Sequence, residues 1–119
     1  MEVYKEWLEK AMKDMASAKY NYRGNFWDNA AFFAHQAAEK ALKAIFIKRF
    51  GVLVKVHDLV KLAAKLRCPK PVLEICNNLN PYYIGTRYPI GKKYTKEIAE
   101  EAIKNGEKVI EWVEKNLGK

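Results

Sequence analysis

Residues 26–49, FWDNAAFFAHQAAEKALKAIFIKR, constrain the fold more than any other part of this 119-residue chain. Apolar residues recur there at three- and four-residue intervals, which matches the helical turn and not the two-residue alternation of a strand. The spacing predicts a helix over Phe26 to Arg49 with Ala30, Phe33, Ala37, Ala41 and Ile45 as its core stripe. Ala34, Ala38, Leu42 and Phe46 broaden that stripe. Small alanines let a neighbouring backbone approach closely, because the distance between packed helices depends on the side chains at the contact. Such a helix belongs at the centre of a bundle.

The same period runs through the rest of the chain. Val3, Trp7, Ala11, Met15, Ala18 and Tyr22 mark a helix over residues 2–22, broken by Arg23-Gly24-Asn25. Gly51 ends the second helix. A short third helix follows His57-Asp58-Leu59 and buries Leu59, Leu62, Ala63 and Leu66. Pro69 and Pro71 mark the next junction, and Pro71 suits a first helical turn, where its missing N–H costs nothing. Val72, Ile75, Cys76 and Leu79 line a fourth helix, which Pro81 ends or kinks. Thr95 caps a last helix that buries Ile98, Ala102, Val109 and Val113, with Trp112 at its edge. No strand pattern competes. The fold class expected is all-α, an antiparallel up-and-down bundle of four to five helices in one domain, 1–119.

A chain of this length buries roughly two thirds of its unfolded surface, enough for one core without disulfides. Cys68 and Cys76 lack metal-ligand spacing and read as a reduced pair in a cytoplasmic protein. The N-terminus MEVYKEWLEK is acidic and lacks a continuous apolar core, which argues against a signal peptide. The apolar runs fall short of the roughly 20 residues of a membrane span. The net charge of +8 favours polyanionic partners. Lysine-rich surfaces also occur on heat-adapted proteins, so charge alone leaves both readings open.

Chemistry concentrates in NPYYIGTRYPIGKKY, residues 80–94. Arg87 offers a planar fork of donors suited to phosphate, and Tyr83 and Tyr88 offer stacking faces. Lys92 and Lys93 add charge, so the segment has the makings of a phosphate and base platform. The alternative is structural: Tyr83 and Tyr88 cover the bundle end while Arg87 pairs with Asp14, Asp58 or Glu39. His35, beside Phe32 and Phe33, reads as a packed histidine or, with Gln36, as part of a cleft. His57 is a candidate base near neutral pH, or a loop anchor, and Asp58 complements a helix N-terminus. Asp14 and Glu39 lie four residues from Lys10 and Lys43, as surface ion pairs or inward-facing charges.

WLEKAMKD at 7–14, AAFFAHQAAEKALKA at 30–44, His57-Asp58-Leu59 and YYIGTRYP at 82–89 together resemble the HEPN domain family. The resemblance implies a bundle that forms homodimers, with a polar cleft near the subunit interface. It makes Arg87 the leading site residue, flanked by Tyr83 and Tyr88 and supported by Asp14, His35, Gln36, His57 and Asp58. It also implies a partner, a minimal nucleotidyltransferase in a two-component, often toxin–antitoxin, system, and no cofactor or metal. Many members are metal-independent ribonucleases that carry Arg, then four to six residues, then His. Here that distance from Arg87 meets Lys92, Lys93 and Tyr94, and from Arg23 it meets Asp28, Asn29 and Ala30. The expectation is therefore a module that binds a nucleotide or RNA phosphate without the usual ribonuclease chemistry. The alternatives are an endoribonuclease toxin using Arg87 with a non-standard base such as His57, and a structural adaptor.

Overall fold

The computed structural model describes residues 2–89, 91 and 93–118. Six helical segments follow in order: α1 Val3–Arg23, α2 Trp27–Phe50, α3 Leu59–Lys65, α4 Lys70–Leu79, the single turn α5 Tyr82–Gly85, and α6 Lys96–Asn116. No strand occurs among the described residues. The all-α bundle expected from the periodicity is the fold observed, with α2 packed between α1 and α6.

The ends obey local chemistry. Gly51 closes α2 at a positive φ of 70°, a left-handed conformation that costs glycine little. The Thr95 hydroxyl accepts the Ile98 N–H at 3.2 Å and starts α6. Pro71 falls in the first turn of α4, and Pro81 both ends the approach from α4 and opens α5.

Burial departs from the predicted stripes in a telling way. Val3 is more than half exposed and Tyr22 only half buried, so α1 contacts the core chiefly through Ala11, Asp14, Met15 and Ala18. Phe33 is also only partly buried. Helix α2, by contrast, is buried almost all round from Ala37 to Phe46, including the polar Glu39 and Lys43, and His35 just before this stretch is buried too. A helix clasped on two sides has no free polar face, so charges there must find partners inside. On α6, Gly106 allows a close approach to α2: an added Cβ would lie 3.1 Å from the Ala34 carbonyl oxygen. Cys68 and Cys76 are buried free thiols. Burial pushes them to about 11 and about 12, which keeps both protonated. Among the described residues no helix is long and apolar enough to cross a membrane.

Candidate functional site

The polar residues of α2 recur at helical spacing. Phe32, His35, Gln36, Glu39 and Lys43 share one side of the helix, and α5 and the loop before α3 lie against it. The centre of the arrangement is Tyr83, on α5. The His57 ring stacks on it at 4.6 Å between centroids and 14° between planes. The Arg87 guanidinium lies 4.3 Å from the centre of the same ring and 5.2 Å from that of Phe32. Tyr83 and Arg87 are one helical turn apart, which brings them together, whereas His57 arrives from a different part of the chain. A cation over an aromatic face is worth about 0.5–2 kcal/mol and leaves the outer donors of the guanidinium free for a ligand.

His57 is held from behind. Its Nδ1 lies 3.1 and 3.0 Å from the two Glu39 carboxylate oxygens. A carboxylate only accepts, so Nδ1 carries a proton and donates; in the neutral ring Nε2 then holds the lone pair. The imidazole side chain is 51% exposed while that of Glu39 is 5% exposed. Lys43 donates to Glu39 Oε2 at 2.8 Å and neutralises it inside the protein. The Lys43 ammonium also lies 5.9 Å from the centre of the Trp7 ring.

His35 lies beneath this layer, fully buried, with its ring 5.4 Å from that of Tyr83. Its Nδ1 is 3.0 Å from Gln36 Oε1, and its Nε2 is buried without a hydrogen-bond partner. Burial lowers its pKa and keeps the ring neutral, against the opposing pull of Gln36.

The other residues singled out in the sequence have different places. Asp14 is buried and paired with Lys40, and more distantly with Lys10 at 3.9 Å. Asp58 caps α3, accepting from Val60 N at 3.0 Å, Lys61 N at 3.2 Å and Asn80 Nδ2 at 2.8 Å. The Asn80 contact contributes most to holding its carboxyl below the usual range. The alternative in which Arg87 pairs with Asp14, Asp58 or Glu39 finds no such ion pair among the described residues: Asp14 pairs with Lys40, Asp58 accepts from Asn80 and the α3 amides, and Glu39 pairs with Lys43 and meets His57. Tyr88 is exposed and lines a separate cavity with Phe26 and Trp27, and Lys93 is exposed. Lys92 lies outside the described residues. Glu39, Lys43 and Phe32 joined the site without having been identified as site residues. The signal was present as polar residues four apart on an otherwise alanine-rich helix, a pattern that surface ion pairing explains equally well.

No three His, Cys, Asp or Glu side chains converge as a metal site among the described residues. The arrangement offers instead an anchored imidazole with a free ring nitrogen, and a guanidinium on the same tyrosine. A base and an oxyanion-stabilising cation are the two groups that transfer of a phosphodiester requires.

Comparison with known proteins places this geometry in a family. The chain is 32% identical to TT1696 from Thermus thermophilus, whose crystal structure matches with a TM-score of 0.89 over 97% of this chain and 98% of that one. The archaeal HEPN homologue ST0689 matches at 26% identity and a TM-score of 0.85, over 98% and 99% of the two chains. A Methanocaldococcus jannaschii protein named "Putative toxin MJ1304" is 27% identical over 90% of this chain and 83% of its own length. The model of the HEPN domain matches residues 4–116. The chain belongs to the HEPN domain family.

Proposed function

We propose that this protein is an endoribonuclease of the toxin type, with His57 as general base and Arg87 as the cation that stabilises the phosphate. One observation carries the reading: His57, stacked on the Tyr83 ring, and Arg87, whose guanidinium lies 4.3 Å from the centre of that ring, are thirty positions apart and no short motif connects them. Glu39 orients the imidazole, so the missing Arg–His spacing is replaced by a contact through the fold. Likeness to a protein named as a toxin supports this over a module that only binds.

In this scheme His57 Nε2 takes the proton of a ribose 2′-hydroxyl, and the 2′-oxygen forms a bond to the adjacent phosphorus. The bond from phosphorus to the 5′-oxygen breaks, and the proton returns to that oxygen directly or through solvent. The products are a 2′,3′-cyclic phosphate and a 5′-hydroxyl. Arg87 offsets the charge that develops on the non-bridging oxygens. The protein acts as one cytoplasmic domain, forms a homodimer and is restrained by a minimal nucleotidyltransferase partner; these three points belong to the same proposal.

The test follows a 5′-labelled single-stranded RNA in EDTA with wild type, Arg87→Ala and His57→Ala. Wild type is expected to release fragments ending in cyclic phosphate. Each substitution is expected to slow cleavage by about a hundredfold or more. Cleavage that persists in both variants would sink the assignment. Intact RNA with saturable, Arg87-dependent binding would favour the module that binds without cutting.

A further inference from the structure

The segment around Arg87 lines two open cavities that share no residue. Tyr83 and Ile84 border one of about 400 Å³ together with His57, Asp58 and Asn80. Thr86 and Tyr88 border the other, about 290 Å³, together with Phe26, Trp27 and Tyr94. Arg87 stands between Thr86 and Tyr88 of the second cavity in the chain, while its guanidinium lies 4.3 Å from the centre of the Tyr83 ring that borders the first. Both volumes lie near the lower end of the roughly 300–1,000 Å³ usual for small-molecule sites.

The walls differ in chemistry. Phe26 and Tyr88 are 58% and 55% exposed, two large aromatic side chains left in water beside one cavity. Neither belongs to the buried core. Aromatic faces of this kind accept any base, since every base has a π-face. The first cavity has a polar edge. Asn80 Oδ1 accepts the Leu59 N–H at 2.7 Å, and Nδ2 donates to Asp58 Oδ1 at 2.8 Å. An amide nitrogen has two protons, so one remains, and the Asp58 carboxylate keeps its second oxygen. Among the described residues neither has a hydrogen-bond partner. A donor beside an acceptor complements the Watson–Crick edge of a nucleobase.

We propose that these cavities are two nucleobase subsites flanking the phosphate at Arg87. The base on one side of the scissile linkage stacks against Phe26 and Tyr88 whatever its identity. The base on the other side enters beside Tyr83 and Ile84 and meets the Asp58–Asn80 edge. The enzyme then grips a dinucleotide unit, and sequence preference resides in one half of it. The inference rests on the ribonuclease reading for the phosphate between the subsites.

The test measures binding by titration calorimetry, with a dinucleotide blocked by a 2′-O-methyl group, a nucleoside monophosphate and inorganic phosphate as probes. The dinucleotide is expected to bind about tenfold or more tighter than the monophosphate, which in turn exceeds phosphate by a similar factor, since a stacked base is worth about 1–3 kcal/mol. Phe26→Ala with Tyr88→Ala, or Ile84→Asp, is each expected to remove the advantage of the dinucleotide over the monophosphate, and the three substitutions together the advantage of the monophosphate over phosphate. All three positions are exposed, so the fold is retained. Equal affinities for the three probes, with Arg87→Ala weakening each, would overturn the subsites and leave the phosphate site standing. Base increments that survive Arg87→Ala, together with intact RNA in the wild-type cleavage assay, would support the subsites and count against the ribonuclease reading. A change of oligomeric state in the Phe26/Tyr88 variant, with no loss of dinucleotide affinity, would assign that cavity to a protein interface and overturn the proposal.

Discussion

Water barely reaches the Glu39 carboxyl, which pairs with Lys43 and meets the His57 ring. Breaking a buried pair is costlier than replacing it, since one lone charge remains in a medium that solvates it poorly. Glu39→Gln is expected to cost about 3–5 kcal/mol by leaving the Lys43 ammonium unpaired, and Glu39→Met with Lys43→Met to recover most of that. Thermal denaturation checks the stabilities. RNA cleavage is expected to fall in the Met double variant, which has no acceptor for the His57 ring, and to fall less in Glu39→Gln, whose amide oxygen still accepts from Nδ1; a double variant that cleaves like wild type would show that Glu39 only fills space. His35 gives a pH dependence of definite sign. Its folded pKa lies below the unfolded value, chiefly through burial, so as pH falls the unfolded chain takes up the proton first. Stability is complete above about pH 6.5 and declines as pH drops toward the folded pKa. Melting curves between roughly pH 7.5 and pH 5 are expected to show this fall in wild type and a flatter profile in His35→Leu. Equal slopes in the two proteins would remove His35 from the account.

Helices α6 and α2 come close together at Gly106. At Gly106 a methyl group would lie 2.8 Å from the Met15 terminal methyl, which can swing away, and 3.1 Å from the Ala34 carbonyl, which cannot. Alanine gains about 1 kcal/mol of helix propensity over glycine, while overpacking costs about 1–3 kcal/mol. Gly106→Ala is therefore expected to lose about 1 kcal/mol in urea denaturation, and to lower RNA cleavage because Ala34 precedes His35 on α2. A more stable variant would mean that α2 and α6 have slack between them. The helix ends near these contacts were legible in the sequence. Gly51, Pro71, Pro81 and Thr95 act within a turn of their own positions, and each stands where its chemistry places it. The tie from Asn80 to Asp58 and Leu59 was not legible, because its partners lie more than twenty residues away.

For the whole molecule, a net charge of +8 leaves two readings open in the sequence. Salt separates them. If a few backbone phosphates are engaged, log affinity falls with log salt at a slope of about −0.7 per phosphate, so RNA binding is expected to weaken roughly tenfold from about 50 to 200 mM salt. Fluorescence anisotropy with a labelled RNA measures this, and a flat profile would assign the lysines to surface solvation. The sequence by itself determined the bundle, the caps and the residue types on which the site depends, since helical period and capping are local properties. Tertiary structure alone decided that His57 reaches Tyr83 and Glu39, that Asp14 pairs with Lys40, and that Arg87 stays free of carboxylates. Those outcomes depend on which faces α1 and α5 turn toward α2, and the burial of α2 on several sides hides that choice from any single stripe of its residues.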